Sequence, residues 1–413
     1  MPDAVDIAVI GAGAAGCFCA TEAARRLPSC SVAVFEAGRK PLAKLALTGG
    51  GRCNLTNTFD GVANLKEVYP RGDKLMRRAL SAFSNKDCCA WFEREGVRLV
   101  AQKDCRVFPR SQDAMQVVHC LEDSMREAGV ALRTGKRLLS LRPADAGAEA
   151  GTSAGGFVLD FADGSSVVAR NVVFAPGGCS AAALRQMLPG VVEIVDTVPS
   201  LYTFRLDDDA LKALSGVSVK DAALSLAGTP FKSRGDLLLT DWGVSGPAVL
   251  KLSSYAARFL AENEYRANLL VNWLGVNEVQ AAELLAGLAR ESGTRMACNV
   301  RPYSVPDRLW RLILTRSGIR EDARWSELKG KSLARLVSRL TADEYRICGR
   351  AKFKDEFVTC GGVALSGVNL NTLESKSCPG LFFAGEVLDV DAVTGGFNLQ
   401  AAWSTAACVA RAL

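Results

Sequence analysis

DIAVIGAGAAGCFCATEAARRLPSCSVAVFE, residues 6–36, decides the fold. Residues 6–10 are a short apolar, β-branched run of the kind that forms a buried parallel strand. It runs into Gly11-Ala-Gly13-Ala14-Ala15-Gly16, and residues 14–26 read as an Ala-rich helix that stops before Pro28. Residues 31–35 give a second strand closing on Glu36, twenty positions after Gly16. The three glycines do different things. Gly11 makes the tight turn, Gly13 lets backbone approach a pyrophosphate, and Gly16 lets helix and strand pack closely. The free N–H groups of the helix start, at Ala14 and Ala15, face the phosphates with the positive end of the helix dipole. Glu36, followed by Ala37, accepts from both hydroxyls of an unphosphorylated ribose. Strand, GxGxxG, helix, strand and acid in register constitute a dinucleotide site.

Working outward, Lys44-Leu-Ala-Leu-Thr48-Gly49-Gly50-Gly51-Arg52-Cys53-Asn54 places three glycines after an apolar turn. No helix or strand interior tolerates them, so they suit a loop around a flat or phosphorylated group, with Arg52 and Asn54 as donors. Cys53 reads as a small buried thiol. Residues 171–178 are a buried strand ending in Ala175-Pro176-Gly177-Gly178. At the far end of the chain Gly380-Leu-Phe-Phe-Ala-Gly385-Glu386 is another, followed by Gly395-Gly396-Phe397-Asn398-Leu399 and a helix over 401–413. A strand-end acid such as Glu386 binds a ribityl hydroxyl, and a Gly-Gly turn opening a helix aims N–H groups at the electron-rich edge of a flavin. A site assembled from both chain ends favours FAD over NAD.

GAGAAG, TGGGRCNLTN, GDLLLTDWGVSGPAVLKLS and the C-terminal VTCGGVALSGVNLNTLESKSCPGLFFAGEVLDVDAVTGGFNLQAAWS together resemble a bacterial family of NAD(P)/FAD-dependent oxidoreductases. That family includes the BaiN-like and aminoacetone-oxidase-like flavoproteins. The resemblance implies an α/β two-dinucleotide-binding, glutathione-reductase-like FAD domain with an inserted β-rich domain and a small helical domain. It implies FAD phosphates at residues 11–16, adenosine ribose at Glu36, and the flavin end among residues 48–54, Gly385-Glu386 and residues 395–399. One departure is Ala175-Pro176-Gly177-Gly178, where the family usually has Ala-Thr-Gly-Gly.

The expected domains are 1–192 with 356–413 for FAD, 193–276 with 341–355 for the β-rich insertion, and 277–340 for the helices. Helical patterns cover 74–96, 113–128, 277–291, 303–317 and 327–340. Strand patterns cover 130–140, 157–161 and 167–168, a three-stranded meander, then 198–206, 218–231 and the strand–turn–helix that begins at Gly235.

The 413 residues suit two domains or two with a small third, and 49% apolar with 23% charged residues excludes a disordered chain. No apolar run reaches the length of a membrane span, and the N-terminus lacks a signal peptide, so a cytoplasmic protein is expected. Fourteen scattered cysteines without a CxxC pair, and a single histidine, His119, argue against disulfides, metal cages and a Ser-His-Asp triad. The net charge of +6 is uneven: residues 66–137 carry +5 and residues 324–354 carry +6. Such stretches attract anions, but few aromatics interleave with them, which argues against a nucleic-acid partner.

The leading reading is an enzyme passing a hydride between bound FAD and a small organic substrate, with NAD(P)H as a transient reductant. Arg52, Arg110 and Arg205 are candidates for an anionic substrate group, and no acid–base pair stands out as catalytic. The alternatives are a flavoprotein that modifies RNA and a non-catalytic FAD-bound redox sensor.

Overall fold

The computed structural model describes residues 3–144, 156–351 and 358–413. The Ala/Gly tract at 145–155 and the basic residues Lys352 and Lys354 lie outside them. The chain divides into two compact units, Met1–Val198 with Val358–Leu413, and Pro199–Phe357.

The first unit is built on a seven-stranded sheet. Its strands are β1 (Asp3–Ile10), β2 (Val32–Glu36), β3 (Ala131–Thr134), β4 (Leu138–Pro143), β5 (Phe157–Phe161), β6 (Ser166–Phe174) and β7 (Leu381–Phe383). β3, β2, β1 and β6 run parallel in that order, with Ile10 opposite both Phe35 and Phe174. β6 changes partner along its length. Its first half pairs antiparallel with β5, Phe157 opposite Ala169, and its second half pairs parallel with β7, Leu381 opposite Val172. Residues 167–168 and 171–174, read from sequence as separate pieces, are therefore one strand, because no turn residue interrupts Ala169-Arg170-Asn171. The 130–140 pattern is instead two strands, split at Gly135 with its φ of 73°.

Helix α1 (Ala14–Arg26) packs against α2 (Phe397–Ala412), which is buried from Gln400 to Ala410. Phe18 of α1 meets Phe83, Trp91 and Trp403 with ring centroids 4.8–5.8 Å apart. The 74–96 pattern breaks into two helices, Asp73–Ala82 and Asn85–Arg94. Ser84 causes the break: its hydroxyl accepts from the Asp87 N–H, while the Asp87 carboxylate accepts from the Ser84 N–H at 2.8 Å, a reciprocal cap that starts a new helix. Glu95, just past that helix, accepts two bonds from Arg25 of α1 at 2.8 and 2.9 Å and one from Ser124 at 3.0 Å.

The second unit is a closed six-stranded antiparallel barrel. Its strands in spatial order are Phe204–Leu206, Gly243–Ser245, Lys232–Thr240, Ser218–Leu226, Arg266–Asn272 and Asp343–Arg350. Closure removes the edges that would otherwise invite pairing with other chains. Helices Glu278–Ser292, Asp307–Arg316 and Lys331–Thr341 share one continuous apolar core with the barrel, in which Leu237, Val271, Leu285, Trp310 and Leu336 are fully buried. Asp343 is fully buried there and accepts from the Trp273 indole, Arg339 and the Tyr345 hydroxyl at 3.1, 2.7 and 2.5 Å. Among the described residues no helix is long and apolar enough to cross a membrane.

Candidate cofactor-binding site

Three parallel strands end together. β1 delivers the Gly11 turn, β6 delivers Ala175-Pro176-Gly177-Gly178, and β7 delivers Gly385-Glu386, all at the carboxyl edge of the sheet where α/β proteins bind their ligands. Backbone bonds hold the ends in step: the Ala175 N–H donates to Ile10 at 2.9 Å and the Ala384 N–H to Phe174 at 3.3 Å. Gly11 has a φ of 98°, and a Cβ on it would lie 2.4 Å from the Ala175 carbonyl oxygen. A Cβ on Gly16 would lie 1.9 Å from the Gly11 carbonyl oxygen, and one on Gly385 would lie 2.8 Å from the Ala15 Cβ. These glycines let protein meet protein.

Gly13 is different. A Cβ there would touch no protein atom within 4 Å, so the space above the turn stays open. Gly13 is the N-cap of α1, no side chain caps that helix, and its first turn holds no acid. The amide groups of Ala14, Ala15 and Gly16 are thus left for an anion, which the helix dipole favours. Glu36 stands beside this turn. Its carboxylate accepts from the Ala12 N–H at 2.8 Å and the Gly38 N–H at 2.6 Å, which fixes it at the strand end next to the exposed Ala37. A carboxylate offers about four acceptor positions, so capacity for two hydroxyls remains.

Residues 44–54 form a helical turn that opens into the expected loop. Thr48 leaves helical geometry at a ψ of 147°, and Gly49, Gly50 and Gly51 follow with φ of 59°, 69° and 81°. Gly50 and Gly51 have open space where a side chain would be. Arg52 lies over the Phe108 ring, 4.7 Å from its centroid, and donates to the Gly49 carbonyl at 3.1 Å. The Cys53 thiol is fully buried, and burial pushes its pKa up to about 12, so it stays protonated at neutral pH. Lys44, exposed at the start of this segment, reaches the Glu386 carboxylate at 2.8 Å across 342 residues of sequence. Glu386 also accepts from the Thr359 N–H at 2.9 Å. Gly177 and Gly178 line the same carboxylate, since a Cβ on either would come within 4.0 Å and 3.0 Å of it. Burial, reinforced by Glu386, raises the pKa of the adjacent Cys179 thiol.

The Gly395-Gly396 turn opens α2 four residues earlier than the sequence pattern suggested. Gly396 is its N-cap at a φ of 92°, with no side-chain cap and no acid in the first turn. Several of the polar residues here hold protein to protein. With its amide oriented to satisfy both partners, Asn54 accepts from the Gly396 N–H at 2.9 Å and donates to Thr56 at 3.1 Å. Asn398 bonds both the N–H and the carbonyl of Ala392 at 2.9 Å. Asn57 donates to the Gly395 carbonyl at 2.9 Å, Tyr69 to the Phe397 carbonyl at 2.8 Å, and the Thr56 hydroxyl to Gln400 at 2.5 Å. The amides of Phe397, Asn398 and Leu399 form the free first turn. Ala12, Gly38 and Thr359, which orient the two glutamates, carry no motif that sequence reading can detect, because they act through their backbone N–H groups.

The residues present fit FAD. Two uncapped helix starts, two glutamates fixed by backbone amides and an open glycine cradle at Gly13 lie in one unit, formed by both ends of the chain.

The profile of the HI0933-like protein Rossmann domain matches residues 5–412. The chain is 31% identical to the ribosomal RNA dihydrouridine synthase of Escherichia coli, covering 97% of this chain and 96% of that protein. It is 28% identical to the 3-dehydro-bile acid delta(4,6)-reductase of Clostridium scindens, covering 98% of each. Its fold resembles 3-ketosteroid delta1-dehydrogenase from Sterolibacterium denitrificans with a TM-score of 0.50 at 13% identity, covering 99% of both chains. The relative named for ribosomal RNA does not support the sequence-based argument against a nucleic-acid partner. The chain belongs to the HI0933-like family of FAD-binding Rossmann flavoproteins and is an oxidoreductase of that family.

Proposed function

We propose that this flavoprotein reduces a carbon–carbon double bond conjugated with a carbonyl group, and that its substrate is a uracil base in ribosomal RNA. The observation that carries the reading is the chemistry common to the names of two full-length relatives. Dihydrouridine is uridine with one such double bond saturated, and the Δ4 and Δ6 bonds of a 3-dehydro bile acid lie in conjugation with its ketone. FAD, when bound, supplies the hydride chemistry, drawing its electrons from NADH or NADPH. One hydride from the nicotinamide and one proton from water convert each C=C into CH–CH. Action on ribosomal RNA implies a cytoplasmic protein.

The residues of this chain bind and orient. The amides of Gly13, Ala14, Ala15 and Gly16 hold the pyrophosphate behind the Gly11 turn, and Glu36 with Ala37 takes the adenosine ribose. Glu386, held by Lys44, takes the ribityl chain, with Ala175, Gly177, Gly178 and Gly385 forming its floor. Thr48, Gly49, Gly50, Gly51 and Arg52 face the flavin end together with Gly395, Gly396, Phe397 and Leu399, and Asn54 and Asn398 hold that turn in place. The arrangement is a two-dinucleotide-binding one, with FAD held by 1–192 and 356–413, a β-rich insertion at 193–276 and 341–355, and a helical one at 277–340.

The test mixes purified protein anaerobically with NADH and then NADPH while the visible flavin band is followed. Deproteinised ribosomal RNA or a Δ4 3-ketosteroid is then added. We expect bleaching by one nicotinamide and a uridine mass gain of two hydrogens in the RNA. Reduction of the ketosteroid with unchanged RNA would move the substrate to small enones, the second reading favoured by the 28% relative. A protein that takes up no FAD would overturn both.

A further inference from the structure

One part of the second unit is strongly basic. Residues 293–339 of the second unit hold 11 Lys/Arg against 4 Asp/Glu, a net of +7, which leaves the remainder of the chain at −1. In the other basic stretch, residues 66–137, Arg71 pairs with Asp391, Arg106 with Asp104, Arg126 with Asp123, Arg133 with Asp3 and Lys136 with Asp163. In the 293–339 lobe Arg301 and Arg311 pair with Asp307, Arg320 with Asp322 and Glu327, Arg316 with Asp208 and Arg339 with Asp343, whereas Arg295, Arg324, Lys329 and Lys331 are exposed and make no ion pair among the described residues.

The lobe also displays apolar groups. Tyr303 is 100% exposed, and Met296 is 46% exposed. Met296 lies directly opposite Arg324 in an antiparallel bridge, which puts both side chains on one face. Two buried indoles fix the scaffold beneath. Trp325 donates to the Val300 carbonyl at 3.2 Å and Trp310 to the Ala297 carbonyl at 2.8 Å, so the turn leading to Arg301 and Tyr303 is pinned to the segment that carries Arg324. The two rings stack with centroids 6.1 Å apart. An aromatic ring held in water costs hydrophobic free energy unless a partner covers it.

Resting on the uracil-reducing reading, we propose that this lobe is the RNA-docking surface, with Tyr303 as the platform on which one unpaired base stacks and Arg295 and Arg324 as phosphate contacts. The partner is single-stranded RNA because a lone exposed ring can stack only on a base that has left its helix. A double-stranded partner would use the cations alone.

The experiment titrates fluorescein-labelled oligouridine into the flavin-loaded protein at several salt concentrations, and measures dihydrouridine formation in deproteinised ribosomal RNA. The proteins are wild type, Tyr303→Ala, Tyr303→Phe and the double variant Arg295→Glu/Arg324→Glu. Flavin content and circular dichroism check the fold. We expect Tyr303→Ala to weaken binding roughly tenfold, the scale of one lost base stack, and Tyr303→Phe to retain it. The double variant should lower the slope of log affinity against log salt by about 1.4, two phosphate contacts on a single strand. Wild-type reduction of RNA with all variants binding as wild type would overturn the surface and leave the uracil reading standing. Wild type that reduces the ketosteroid but neither binds nor reduces RNA would overturn both.

Discussion

Gly13 and Gly16 stand three residues apart in one motif and fail in opposite ways when a side chain is added. At Gly16 the added carbon meets the Gly11 backbone oxygen at 1.9 Å, and backbone cannot step aside. We expect Gly16→Ala to lose about 1–3 kcal/mol of stability, as overpacking does, read from its urea midpoint. At Gly13 the added carbon meets nothing, and the φ of −86° suits any residue. Gly13→Val should therefore unfold with the midpoint of flavin-free wild type, yet purify with little flavin. Full flavin occupancy in Gly13→Val would remove the pyrophosphate from that turn.

Between elements, the decisive contacts are made by polar side chains from distant parts of the sequence. Glu95 joins α1, the end of Asn85–Arg94 and helix Ala114–Glu127 through Arg25 and Ser124. The bonds from Arg25, then that from Ser124, hold its carboxyl below its ordinary value of 4.5. A carboxylate lowered in the folded state contributes stability that is complete above the unfolded value and disappears as pH falls through the folded one. Glu95→Gln should melt below wild type at neutral pH, and the gap in melting temperature should close as pH drops under about 4.5. A gap independent of pH would mean that shape, not charge, carries the contact. The buried Thr56–Gln400–Ser404 chain works in the same manner without charge, tying the segment after the glycine loop to α2.

Across the whole molecule, the cofactor unit is discontinuous: β7 and α2 come from the last residues of the chain, yet β7 lies against β6 and α2 against α1. Removing residues 397–413 would expose the apolar faces of Phe18 and Phe92, which now pack on Trp403. Exposed core of that size drives aggregation. We expect the truncated chain to accumulate as insoluble, colourless protein, with solubility and flavin absorbance as the readouts. A soluble yellow product would show that α2 only covers a site completed without it.

How much was legible in the sequence follows from distance along the chain. The β1–turn–α1–β2 unit, Glu36 and the glycine loop are local: periodicity, glycine spacing and a strand-end acid specify them within about thirty residues, because short-range sterics and hydrogen bonding act at that range. The helix break at Ser84 was written in its spacing to Asp87 but hidden by the apolar period around it. Other features required the folded chain. The Lys44–Glu386 pair spans 342 residues, β6 takes two partners on successive halves, and Asn54 and Asn398 turn inward as locks on the α2 turn. Charge behaved likewise. Basic stretches look alike as strings, and only the fold decides which of their cations meet a carboxylate, as Arg71 meets Asp391 and Arg316 meets Asp208, because ion pairing depends on which elements meet and not only on which residues are neighbours in sequence.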